Sequence, residues 1–138
     1  MKIDRNEWLN HLRPKVKRKQ NFSNDLEMFL ELTLKPITEF QTALLVFGFK
    51  TFLKKSSSDF VNLTTAHQKT FINDRLRSDP LLKNSFINYT VALFDSIELE
   101  FYTKNRLEVR RLIIELTIAI LENHLDHFNS INHINYNS

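Results

Sequence analysis

Cysteine is absent from this 138-residue sequence, and glycine and proline are scarce. Without a thiol the chain cannot form a disulfide, a thiolate zinc site or an iron–sulfur cluster, and it has no cysteine nucleophile. Gly48 is the one glycine and there are three prolines, whereas sheet proteins need turn-forming residues about every ten residues. The shortage of turn formers argues against a β-rich fold and predicts an all-α protein.

Long apolar runs are also missing. The most apolar stretch, Leu112 to Leu121, is interrupted by Glu115 and Thr117 and has about half the length needed to cross a bilayer. The first seven residues are mostly polar and lead into no apolar segment, which predicts that there is no signal peptide. We therefore expect a cytoplasmic protein that does not enter a membrane.

The overall composition is that of an ordinary globular protein, with 42% apolar and 25% charged residues. A chain of this length is long enough to bury roughly two-thirds of its unfolded surface around one core. The sequence therefore predicts a single domain over residues 1–138, folded as a compact bundle of five to seven helices.

Start signals for helices recur in the second half of the chain. An acidic or amide residue at an N-cap accepts hydrogen bonds from the first turn, and a proline or a glutamate just after it strengthens the signal. The predicted start pairs are Asp79 with Pro80, Asp95 with Glu98, and Asn105 with Glu108.

Pro36 interrupts an apolar-periodic segment near the middle of the first half. Proline lacks an N–H group and fits the first turn of a helix, so we predict one helix up to about Thr33 and a new one from Pro36. The second helix carries apolar residues at helical spacing, namely Phe40, Ala43, Leu44 and Phe47. Gly48, which follows them, is expected to mark a close contact between helices.

A long apolar C-terminal helix is predicted from about Arg106 to Phe128. Apolar residues recur every seven positions at Leu107, Ile114, Leu121 and Phe128, and the helix is apolar on most sides. Such a helix lies at the centre of a bundle or packs on a second subunit. We therefore predict a possible homodimer through this helix. Residues 129–138 are asparagine-rich and are expected to form a disordered tail.

Positive charge is concentrated at the N-terminal end. Although the net charge is +3, the first 20 residues hold seven basic and two acidic residues. We interpret residues 1–22 as a short helix, capped by Asp4, followed by a basic linker. Clustered cations could bind an anion or nucleic acid, but a solvated linker is the simpler reading, and a nucleic-acid partner is not expected. The residues concerned are Arg13, Lys15, Lys17, Arg18 and Lys19.

Few residues are candidates for chemistry. Glu98 and Glu115 are weak candidates for acid–base catalysis, since a carboxylate among aliphatic residues can be tuned as a proton carrier. The alternative for Glu115 is an ordinary helix ion pair with Arg111. His124 and His127, three residues apart, could reach one metal ion, but a zinc site needs a third ligand. We interpret the two histidines as a solvated helix end and predict no metal and no cofactor.

The chain is unusually rich in phenylalanine, with twelve residues. Aromatic side chains often line ligand pockets, and the interiors of helix bundles can host such pockets. The candidate pocket residues are Phe40, Phe47, Phe86, Phe94 and Phe101. The alternative is that these side chains only pack in the core.

One stretch of the sequence runs from Glu27 to Gln41, with its Thr-Leu-Lys-Pro-Ile pattern, and another runs from Phe94 to Arg111. Both resemble segments of a family of short, uncharacterised, all-helical bacterial proteins. The resemblance implies an all-helical fold. Some members are labelled glyoxalase, but glyoxalases of the familiar kind carry their metal ligands on the strands of a βαβββ unit, which this sequence does not predict.

Three functions follow, in order of preference. The first is a non-enzymatic helical module that associates with itself or with another protein. The second is a helical pocket for a small apolar or amphipathic ligand. The third is a glyoxalase-type lyase, which rests on the family label alone.

Overall fold

A computed structural model describes residues 4–13, 25–56 and 59–129 of the chain, and all three ranges are helical apart from turns and loops. The helices are α1 (Arg5–Leu12), α2 (Asp25–Phe29), α3 (Lys35–Phe40), α4 (Thr42–Lys55), α5 (Thr65–Ser78), α6 (Pro80–Val91), α7 (Ser96–Lys104), α8 (Arg106–Glu122) and α9 (Leu125–Asn129). These ranges contain no strand, so the all-α prediction is confirmed. They contain more helical segments than the predicted five to seven. No helix within them is both long and apolar enough to span a membrane.

Side-chain caps begin several of the helices, as the sequence predicts. The Asp79 carboxylate accepts hydrogen bonds from the backbone N–H groups of Leu81 and Leu82, both at 3.1 Å. Asp95 and Glu98 form the reciprocal capping box at the start of α7. The predicted box of Asn105 is wrong, because the Asn105 amide instead donates to the carbonyl of Phe101, at 3.0 Å.

The predicted start of α1 is also present, but the predicted break at Pro36 is not. Asp4 caps α1 through hydrogen bonds from the N–H groups of Asn6 and Glu7. The predicted break before Pro36 is wrong, because α2 passes into α3 through a π-helical segment, Leu30–Leu34. Proline removes one backbone donor and crowds the carbonyl four residues earlier. The wider π turn accommodates that ring while the chain remains helical.

Helix α8 lies at the centre of the fold and contacts α3, α4, α5, α6 and α7. Its buried residues are Val109, Ile113, Ile114, Thr117, Ile118 and Leu121. The predicted single helix up to Phe128 is wrong, because α8 ends at Glu122 and a turn precedes the short α9. That turn returns Leu125 and Phe128 to the core, where Phe128 is fully buried.

Aromatic side chains form two clusters inside the bundle. One centres on Phe49, whose ring lies 5.1 Å from that of Phe128 and 5.9 Å from that of Phe60. The other centres on Phe29, which stacks on Phe101 at 4.5 Å and meets Phe94 edge-on at 5.4 Å. Much of the phenylalanine content is therefore core packing.

Gly48 marks a close contact between helices, as predicted. A Cβ atom at Gly48 would lie 3.3 Å from Cε2 of Tyr89 and 3.4 Å from Cε1 of Phe86. Both aromatic residues belong to α6. The missing side chain lets α4 approach α6. The face of α4 that carries Gly48 therefore lies against α6.

Candidate functional site

The outward face of α3 and α4 carries large apolar side chains that the rest of the described chain does not cover. Phe47 is 67% exposed, Phe40 is 48% exposed and Leu44 is 37% exposed. On the opposite face of α4, Leu45 and Phe49 are completely buried. Contiguous exposed apolar surface of this kind commonly marks an interaction site.

A groove lies on one side of Phe47, between α4 and the turn that precedes α9. We call it the histidine groove. It encloses about 570 Å³. Its lining residues are Glu39, Phe40, Thr42, Ala43, Val46, Phe47, Lys50, His124 and His127. Two of the candidate pocket phenylalanines thus meet His124 and His127, the two weak metal candidates, which were separate features of the sequence.

The two histidine rings stand side by side at one wall of this groove, with centroids 5.5 Å apart. Nδ1 of His124 lies 2.7 Å from the carbonyl oxygen of Ile120. Because a carbonyl oxygen only accepts, this contact assigns the hydrogen of the neutral ring to Nδ1 and leaves Nε2 as its acceptor nitrogen. The early end of α8 places His124 in a turn and His127 on α9, so the pair belongs to the groove and not to one continuous helix.

A second groove lies on the other side of Phe47, between α4 and α6. We call it the tyrosine groove. Leu81 stands at its rim and is 82% exposed. Lys55 and Asp79 are its charged lining residues. The remaining lining residues are Phe47, Gly48, Thr51, Phe52, Leu82, Ser85, Phe86 and Tyr89. Phe47 is therefore a ridge with a shallow groove on each side.

The histidine pair does not form part of a larger set of metal ligands. Among residues 4–13, 25–56 and 59–129, no group of three histidine, aspartate or glutamate side chains is placed to hold one ion. A stable metal site in a protein needs more ligands than two neighbouring imidazoles supply.

Glu98 is surrounded by donors that hold its carboxylate in place. It forms a two-pronged ion pair with Arg13, in which Nη2 of Arg13 lies 2.9 Å from Oε2. Thr33 donates its hydroxyl to Oε2 at 3.0 Å. The N–H group of Asp95 donates to Oε1 at 2.8 Å. These contacts join α1, the π segment and α7, which is a structural role for this weak catalytic candidate.

Arg13, which the sequence placed in a possible anion-binding segment, therefore faces a carboxylate of its own chain. It also donates to the carbonyl of Leu93, at 3.3 Å. Nearby, Arg5 donates to the carbonyl of Ala92 at 2.7 Å. The other four basic candidates, Lys15, Lys17, Arg18 and Lys19, lie outside the described residues, as do residues 130–138 of the predicted tail.

Glu115 does not lie in an apolar environment. Its side chain is 42% exposed and accepts a hydrogen bond from Arg111 at 2.9 Å, one turn earlier on α8. Exposed pairs of this spacing are ordinary features of helix surfaces. This contact is the ordinary helix ion pair with Arg111 that the sequence offered as the alternative to a catalytic role.

The five phenylalanines that were candidates for one pocket occupy different places. Phe40 and Phe47 lie at the histidine groove, and Phe86 forms the buried floor of the tyrosine groove. Phe94 is buried and Phe101 is half-buried, both beside Phe29.

Sequence reasoning missed Lys50 and Leu81, which complete the two grooves. Leu81 lies off the apolar stripe that Leu82 and Phe86 form at helical spacing, so its place outside that stripe was the available signal. No pattern in the sequence brings α9 beside α4, because that neighbourhood depends on the turn after α8.

Comparison of the chain with protein-family models, with curated proteins and with solved structures finds no match. The predicted family resemblance therefore stays a prediction. The described ranges contain no strand, and so they lack the strand-borne ligands that the glyoxalase label would imply.

Proposed function

We propose that this protein is a non-enzymatic binding module that accepts a helix of another protein along α4. The single observation that supports this proposal is the exposure of Phe40, Leu44 and Phe47 on one outward face, between two grooves. Large aromatic and aliphatic side chains on a surface are the usual anchors of protein interfaces.

The shape of this surface favours a helix over a small molecule. Small-ligand sites are concave and cover most of the ligand, whereas Phe47 projects as a ridge that is 67% exposed. A partner helix places apolar side chains at positions i, i+3, i+4 and i+7. Such side chains can enter the two grooves on either side of Phe47.

Charge favours a different protein over a second copy of this chain. Helix α4 carries Lys50, Lys54 and Lys55 and no acidic residue. An acidic helix of a different protein would complement these lysines, whereas a second α4 brings no carboxylate of its own to them. The predicted homodimer through the C-terminal helix also has little apolar surface to use, because among the large apolar residues of α8 only Leu107 is exposed.

The proposal can be tested by site-specific cross-linking. A photoreactive phenylalanine analogue replaces either Phe47 or Leu107, which are 67% and 83% exposed, and the protein is irradiated in its own cells. We expect a cross-linked partner from position 47 and none from position 107. The recovered partner is then purified, and its affinity is measured for the wild type, Phe47→Asp and Leu107→Asp.

The expected result is a loss of at least about tenfold in affinity for Phe47→Asp and an unchanged affinity for Leu107→Asp, because buried anchors dominate binding energy. Equal affinity of all three proteins would overturn the proposal. Light scattering on the purified protein gives a second test. A dimer that Phe47→Asp dissociates would show that a second copy of this chain, and not another protein, binds along α4.

A further inference from the structure

The histidine groove differs from the tyrosine groove in having two histidines among its lining residues. Glu39 and Lys50 stand on the α3 and α4 side, and His124 and His127 stand opposite them. With neutral histidines the lining has no net charge, and with both histidines protonated its net charge is +2. Asp126 is exposed on α9 between the histidines in sequence, and Glu122 is half-buried at the end of α8.

We infer that the helix bound along α4 is acidic, that its carboxylates lie at the histidine groove, and that it binds more tightly as the pH falls. This inference rests on the proposed function. It adds the chemistry of the partner and the condition that controls binding.

The first step of the argument is the fixed charge. Lys50 lines the histidine groove and Lys55 lines the tyrosine groove, so each groove offers a permanent cation to an acidic partner. Each groove also has one carboxylate, and the two carboxylates do not offset the lysine charges equally. Asp79 accepts hydrogen bonds from the N-terminus of α6, whereas Glu39 is exposed and offsets Lys50, so the histidines decide the net charge of the histidine groove.

The second step is the switchable charge. Histidine side chains ordinarily change charge between roughly pH 5 and pH 8. Protonation converts Nε2 of His124 from an acceptor into a donor, because Nδ1 already donates to Ile120. The groove wall then offers a charged donor to a carboxylate.

The third step is the coupling between the two rings. Their centroids lie 5.5 Å apart, so two imidazolium groups would repel each other. A carboxylate beside both rings offsets that repulsion and favours the doubly protonated state. By linkage, a partner that favours protonation binds more tightly at the lower pH.

The experiment uses two labelled synthetic peptides of about 16 residues, the length of roughly four helical turns. Both carry leucine at the same helical positions. One has glutamate and the other lysine at the remaining charged positions. Fluorescence anisotropy gives the dissociation constant of each peptide at about pH 7.5 and about pH 6, within the range in which histidine titrates. The proteins are the wild type, Phe47→Asp, the double variant His124→Gln/His127→Gln, and His67→Gln.

We expect the glutamate peptide to bind more tightly than the lysine peptide, and to gain about threefold to tenfold in affinity at the lower pH. The double histidine variant should lose this gain. His67, which is exposed on α5, is the matched control, and His67→Gln should keep the gain.

Two outcomes would overturn the inference: equal or tighter binding of the lysine peptide, or a pH effect that the double histidine variant retains. If Phe47→Asp weakens both peptides equally in that case, the docking surface along α4 survives and only its acidic, pH-dependent character fails. If the peptides bind Phe47→Asp as well as the wild type, the proposed function itself fails.

Discussion

Helices α4 and α8 are both long and rich in apolar residues, yet they stand in opposite environments. Five helices pack around α8, and Leu107 is its one large apolar residue that is exposed. Helix α4 packs against α3, α6 and α8 on one side, and Phe47 and Leu44 remain open on the other. The apolar content of a helix therefore does not tell whether its surface is available to a partner. The number of neighbouring helices decides it.

The largest expected effect concerns the two faces of α4 itself. Phe49→Ala removes a completely buried ring and should lower the free energy of unfolding by about 3–5 kcal/mol, because it leaves a cavity. Phe47→Ala should change it by no more than about 0.5 kcal/mol, because its ring is mostly exposed. Urea denaturation followed by circular dichroism measures both. Similar losses for the two variants would mean that the outward face is part of the core.

An intermediate effect is expected at the contact between α1 and α7. Arg13 and Glu98 are only 14% and 13% exposed, so removing either partner leaves a poorly solvated charge. Glu98→Ala should therefore cost about 2–4 kcal/mol of unfolding free energy.

A double-mutant cycle with Arg13→Ala isolates the interaction between the two side chains. The matched control is Glu115→Ala, which breaks the exposed pair with Arg111 and should cost no more than about 0.5 kcal/mol. Additive effects of Arg13→Ala and Glu98→Ala would show that the pair does not hold α1 in place.

Local signals in the sequence predicted the local parts of the fold. The caps at Asp4, Asp79 and Asp95 are one-residue features whose hydrogen bonds reach only two or three residues, so the sequence contains all the information they need. Pro36 was harder, because a π segment can absorb a proline without a break. The end of α8 was missed because burial of Phe128 in the core outweighs continuation of the helix.

The sequence could predict individual residues of the candidate site but not that they lie together. The sequence separately singled out Phe40 and Phe47 as aromatic and His124 and His127 as a pair, and the fold places all four at one groove. That meeting depends on how α9 returns beside α4, which is a tertiary contact without a local signature. The ion pair of Glu98 was missed for the same reason, since Arg13 lies 85 residues away in sequence.

The most direct measurement of the central claim is a map of where a helix binds. Methyl resonances of selectively labelled protein are followed by NMR while the glutamate peptide is added. We predict shifts at Ala43, Leu44, Val46 and Leu81, which lie on or beside the two grooves, and none at Leu107 or Ile97, which are 83% and 78% exposed elsewhere. Shifts centred on Leu107 and the outer face of α8, with α4 unchanged, would contradict the account.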